Sequence, residues 1–330
     1  MSHQNGLLGL NRLILHIPLI EYVPGGAEAL PPPLKQALAA GHRTRQDPGR
    51  ALSTLLDAGP LPSPAVLAAM AQPDLFEGGH RRHWLRFDPV RLVPDLTAVW
   101  VDRPMPLDFG AEALRPIVEE LQVMFDREGL AWKPRSEGFG LLQLDATPDC
   151  SFMPPDMAYG KSLDEVLPTG QDASRWRRLI NESQMVFHQF RASDRADQQG
   201  VGLWFWGAGG PPKPACCTGT VTVVEPAGDA EVHGLARWLE ASLLDADARL
   251  DDLDSDRLYV HWPLQGANVG AALQQLGRLW VRPALRNLRR GRLAELAIVG
   301  SSGFWRLGRL SSLAFWRRSI EGIQQPGDAR

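Results

Sequence analysis

Apolar residues come in short runs and helical stripes separated by Gly, Pro and polar breaks along the whole chain. The run NRLILHIPLI (11–20) is bounded by turn residues and predicts a buried strand. LPPPLKQALAAG predicts a helix that opens after prolines and closes at Gly41, and SPAVLAAMA (63–71) a second, capped by Ser63 with Pro64 at its first position. From His83 two strand-like runs follow, 83–87 and 96–102. Residues 110–129 carry apolar side chains at helical spacing up to Gly129, and 130–145 reads as a hairpin turning near Arg135–Gly138. These elements predict a small α+β unit.

From Asp172 onward helices alternate with strands. Helices are expected over 172–190, 231–244 and 268–291, the last interrupted at Pro283. Strands are expected over 201–207, 219–226, 257–262 and 293–300. Alternation of this kind predicts a mostly parallel sheet with helices on both faces. The expected fold class is therefore α/β, with residues 1–80 and 166–330 forming the core and 81–165 an inserted α+β subdomain.

Composition narrows the functional classes. The 330 residues are 44% hydrophobic and 22% charged, as in an ordinary folded protein. A net charge of −3 gives no bulk attraction to nucleic acid or an anionic membrane. Three cysteines, two of them adjacent (Cys216 and Cys217), supply no zinc pattern and fit a reducing cytoplasm. The first apolar run is too short to span a bilayer and no basic segment precedes it. The expectation is a cytoplasmic protein that needs no membrane and no cofactor.

Candidate chemistry gathers around residues 181–210. Asn181, Gln184 and His188 recur at i, i+3 and i+7, so one helix face carries all three. The strand LWFW then ends at GAGGPP. Gly207, Gly209 and Gly210 let backbone approach a ligand closely beside Trp206, where open α/β sheets bind one. The competing reading is a helix packed on a strand with its polar groups satisfied locally. The acidic run 245–256 lacks the glycine and closing glutamate of a calcium loop and reads as a solvated linker. Arg278, Arg282 and Arg286 stack at i, i+4 and i+8, with Arg289, Arg290 and Arg292 beyond and FWRLGRLSSLAFWRR (304–318) following. Such interleaving suits a nucleic-acid surface. A solvated face paired with the acidic run is the favoured reading, so no nucleic-acid partner is expected. GxSxG, Walker and HExxH motifs are absent.

LPTGQDASRWRRLINESQMVFHQF with GVGLWFWGAGGPPKP resembles a proteobacterial cofactor-independent phosphoglycerate-mutase-like family that includes a regulatory protein of the rpf cluster. HWLRFDPVRLVPDLTAVWVD (83–102), LGRLWVRPALRNLRRGRLAELAIVG (276–300) and FWRR (315–318) extend the likeness over most of the chain after residue 80. The family's His-Pro-Val-Asn and Asn-Ser before the Trp strand are missing here. The resemblance implies an alkaline-phosphatase-like core with a small α+β insertion, two divalent metals held by Asp and His, and a Ser or Thr nucleophile. The first strand offers only Glu21 near its end. PLQGAN follows His261, and Gly300-Ser301-Ser302-Gly303 stands where Asp-His is implied. The expectation is a retained fold without its metal site, acting by binding a small ligand or a protein partner. The alternative is an active phosphomutase or phosphatase with a site rearranged around His80, His83, Asp88 and His261, and a weaker one is a nucleic-acid-binding regulator that uses the C-terminal arginines.

Overall fold

A computed structural model describes residues 10–76, 82–190, 200–245, 248–264, 268–311, 320 and 323. The chain divides into two compact units, one of residues 1–61 and 214–330, the other of residues 62–213. It opens in the first with β1 (Arg12–His16) and β2 (His42–Thr44). The second unit contributes β3 (His83–Pro94), β4 (Val99–Pro104), β5 (Ala131–Trp132), β6 (Gly140–Leu144), β7 (Cys150–Ser151), β8 (Thr169–Gly170) and β9 (Val201–Gly209). The chain returns to the first as β10 (Val221–Val224), β11 (Ser242–Leu244), β12 (Arg257–His261), β13 (Glu295–Val299) and β14 (Phe304–Gly308).

The first unit is α/β. Its sheet runs β11-β10-β12-β1-β13-β14-β2. Neighbours from β11 to β13 pair in parallel, and β14 is antiparallel to both β13 and β2. The central strand is buried on both faces, which is why Leu13, Ile14 and Leu15 form an unbroken apolar run. Leu13, Leu15 and Ile17 share a core with the helices Pro32–Ala40 and Arg282–Arg290. Ahead of Pro283 lies a π-helical turn, Gly277–Val281. Pro283 has no N–H to give the preceding turn, and the wider turn absorbs the defect. The expected 231–244 helix stops at Trp238. Glu240 enters the left-handed region at φ 52°, and Ser242–Leu244 becomes the edge strand β11.

The second unit is an antiparallel sheet, β4-β3-β6-β5, with β9 added on β3. Phe87, Phe109, Phe125, Trp132 and Phe205 make edge-to-face contacts at its centre. The helices Arg115–Arg127 and Ala173–Gln189 lie on that cluster. This compact unit covers 62–213, a stretch that includes the 81–165 expected as an inserted subdomain. The 173–209 helix and strand look like one repeat of a parallel core, but β9 pairs antiparallel with β3. An apolar run such as VGLWFWG does not record which partner it will choose.

Gly140 faces the Phe87 ring so closely that a Cβ would stand 2.0 Å from Cζ. Gly140→Ala is expected to destabilise the chain by about 1–3 kcal/mol through overpacking, read as a lowered urea midpoint. An unchanged midpoint would show that the ring cluster has room to yield.

Candidate functional site

The Ala173–Gln189 helix is bolted to β9 by Ser183. Its buried hydroxyl donates to the Ile180 carbonyl at 2.7 Å and accepts the Leu203 N–H at 3.0 Å. Leu179, Ile180 and Phe187 pack with Leu203 and Phe205. Asn181 and His188 are exposed. The Gln184 side-chain nitrogen is buried without a partner, its Cγ lying 2.9 Å from where a Cβ on Gly202 would be. Strand alternation sends Trp206 to the opposite face, beside Trp204, Val90 and Leu92. There the Trp206 indole donates to Asp88, which Arg86 grips with two hydrogen bonds of 2.9 and 2.8 Å. The Arg86 guanidinium also lies 4.1 Å from the Phe139 ring centre and 5.1 Å from that of Trp206.

The glycines serve packing. Gly207 has φ 69° and forms a bulge, because two residues, Gly207 and Ala208, oppose Leu85 alone. Ser63 stands 2.1 Å from where a Cβ on Gly209 would be, and the His83 ring 2.9 Å from one on Gly210. The cleft expected from Asn181, Gln184, His188, Trp206, Gly207, Gly209 and Gly210 is thus not assembled. Asn181 and His188 are exposed, Gln184 lies where a Cβ on Gly202 would be, beside Leu92, and Trp206 is held by Asp88. Gly207 and Gly209 are covered by the Ser63–Pro64 helix start and Gly210 by the His83 ring. His83 bonds Thr147 at 2.7 Å. It faces away from Asp88, five residues along the same strand, and His261 belongs to the other unit. His80 lies outside the described residues.

The sequence reading missed a cluster in the first unit at the carboxyl ends of the parallel strands. His16 closes β1 and His261 closes β12 as register partners, so both rings leave the same face, their centres 5.2 Å apart. Tyr259, two residues before His261, reaches the His16 Nδ1 at 2.8 Å. Burial pushes the Tyr259 phenol well above its ordinary range, so it keeps its proton and donates it. Desolvation, aided by the neighbouring His261, pushes His16 down to about 3. His16 is therefore neutral, accepts at Nδ1, and carries its proton at Nε2. Glu225 follows β10 with its side chain fully buried, and its carboxylate lies 3.5 Å from His261 Nδ1 and 3.7 Å from His233 Nε2. Desolvation works to raise its pKa, but His261 and the Ala227, Gly228 and Asp229 amides bring it down to about 2.

Glu21 stands beside this edge, 2% exposed. Its carboxylate accepts the Ser301 and Ser302 N–H groups, each at 2.9 Å, and the Ser302 hydroxyl at 3.0 Å. Gly300 is required, because a Cβ there would stand 2.4 Å from both carboxylate oxygens. Leu19 takes the left-handed region at φ 64° and donates its N–H to Ser301 Oγ at 2.9 Å. Both acids at the sheet edge thus satisfy backbone amides. Hard divalent cations need several oxygen ligands free to face the metal. Among the described residues no three His, Cys, Asp or Glu side chains are placed to hold one ion. The described residues at this edge do not fit a two-cation centre.

Two solved structures are similar to the chain. The PH0037 protein from Pyrococcus horikoshii shares 14% identity, with 91% of this chain and 88% of that one covered, at a TM-score of 0.46. A cofactor-independent phosphoglycerate mutase from Thermoplasma acidophilum DSM 1728 shares 15% identity over 91% and 90%, at a TM-score of 0.38. No family model and no curated protein matches the chain. No helix among the described residues is long and apolar enough to cross a membrane.

Acid stability follows from these groups. An unfolded His16 takes a proton near its ordinary value of 6.5, while the folded one refuses it down to about 3. Stability from this residue is complete above pH 6.5 and is lost as pH falls toward 3. Glu225 acts in the same direction below its ordinary 4.5. The urea midpoint is expected to fall between pH 7 and pH 4.5, and His16→Gln to flatten that part of the curve. Parallel curves would contradict the assignment. Glu21→Gln puts a donor against backbone donors and is expected to cost about 2 kcal/mol or more, measured by the same melts.

Proposed function

We propose that this chain is a phosphoglycerate-mutase-like protein of the alkaline-phosphatase type that has given up two-metal phosphoryl transfer and acts in regulation. It does so by binding a small ligand or a protein partner at the carboxyl edge of its parallel sheet. The observation that carries this reading is the use of Glu21. The one carboxylate that follows the first strand is spent on the Ser301 and Ser302 amides. The motif likeness supplies the family, and the edge cluster supplies the place. The cluster lies at the carboxyl ends of the parallel neighbours β12 and β1, the end at which open α/β sheets bind ligands.

The cluster suits recognition by hydrogen bonding. His16 presents a neutral imidazole whose Nδ1 is held by Tyr259, leaving Nε2–H as the free donor. Glu225 fixes His261 beside it. His16, kept neutral by burial, brings no fixed positive charge of the kind that phosphate-transfer sites rely on. The alternative, an active enzyme with a rearranged site, would need Asp88, which already serves Arg86 and Trp206.

Purified chain supplied with manganese or cobalt is expected not to interconvert 2- and 3-phosphoglycerate, followed by phosphorus NMR. It is also expected not to hydrolyse para-nitrophenyl phosphate above the rate of a Glu21→Gln, Glu225→Gln double variant. Turnover that the double variant abolishes would overturn the proposal in favour of an active phosphomutase or phosphatase.

A further inference from the structure

The arginines flagged in the sequence remain unexplained by the sheet-edge site. Arg278, Arg282, Arg286, Arg289, Arg290 and Arg292 are all exposed, on or just after the segment from the π turn to the helix Arg282–Arg290. Trp280, Val281, Ala284, Leu285 and Leu288, on the other side of the same segment, are buried in the core. The guanidinium groups are therefore carried on a rigid, tightly packed element. The expected pairing with the acidic run reduces to Asp251, which binds Arg286 and Asn287, with Arg292 close by. Arg278, Arg282, Arg289 and Arg290 have no acidic partner among the described residues.

We infer that this strip is a docking surface for the phosphate backbone of a nucleic acid. Charge is the first reason. The chain carries −3 overall, so beyond these six positive charges the rest of it carries −9. A molecule this acidic gathers six guanidinium groups on one face only against its own average. Geometry is the second. Arg278, Arg282, Arg286 and Arg290 recur every four residues, about 6 Å of rise per step on a helix. The row winds by about 40° per step along the exposed side, and its planar forks bind phosphate oxygens in pairs. Lysine, the looser point charge, is absent from the segment. An anionic membrane is the weaker match, because surface-lying helices insert an apolar face and here that face is buried in the protein's own core. Leu310, 85% exposed, is a single side chain and supplies no such face.

The test uses the full chain and a fluorescein-labelled 20-base-pair DNA duplex, read by fluorescence anisotropy from 25 to 200 mM salt. Binding is expected in the micromolar range at low salt, with a log–log salt slope of about −3.5 to −5.5 as roughly four to six phosphates are neutralised. The Arg278→Gln, Arg282→Gln, Arg290→Gln triple variant is expected to weaken binding at least tenfold and flatten the slope by about 2 to 3. Its thermal melt should match that of the unaltered chain, because the three side chains are exposed. No anisotropy change at 25 mM salt, or equal binding by the triple variant, would overturn the inference. So would co-sedimentation with phosphatidylserine vesicles in the absence of duplex binding, which would assign the strip to a membrane.

Discussion

A buried carboxylate must be satisfied, and at the carboxyl edge of this sheet the protein satisfies its carboxylates with its own backbone. Glu21 takes two amides and a hydroxyl from Ser301 and Ser302, and Gly300 leaves room for it. This single choice ties the end of β13 to the segment after β1. It also orients the carboxylate. An oxygen that already accepts hydrogen bonds from backbone amides is oriented toward the protein rather than toward a cation in the crevice. The left-handed Leu19 fits the same scheme, since its N–H completes the Ser301 hydroxyl.

The neighbouring histidines follow from the same accounting. A parallel sheet places register partners side by side, so β1 and β12 necessarily present His16 and His261 together. Burial then forbids charge on His16, and Tyr259 fixes which of its nitrogens holds the proton. Glu225 keeps its charge only because amides and His261 surround it. The result is a polar edge that carries a neutral His16 and the buried carboxylates of Glu21 and Glu225.

The first unit was legible from periodicity. Short Val, Ile and Leu runs alternating with amphipathic stretches mark parallel strands buried on both faces, and β1, β10, β12 and β13 lie where those runs are. The second unit was legible only up to its hairpin. Its limits were not, because VGLWFWG is as apolar as a core strand and only its pairing with β3 assigns it. The GAGG loop misled for a related reason. Glycine permits close approach by anything, and here the neighbour is the helix opening at Ser63 and Pro64 rather than a ligand. The His16–His261 pair was hidden by 245 residues of separation. A signal did exist, since each histidine ends an apolar strand, the place where α/β proteins put their chemistry. The arginine spacing was visible at once, whereas it needed the fold to show that among the described residues only Arg286 of that row has an acidic partner.

The central claim concerns what the sheet edge binds, and manganese reports on it directly. Titrating the full chain with Mn²⁺ while recording the free-ion EPR signal tests the claim most simply. Internal use of Glu21 and Glu225 predicts that added ion stays free at micromolar concentrations. Uptake of two equivalents, lost on Glu21→Gln or Glu225→Gln, would contradict it.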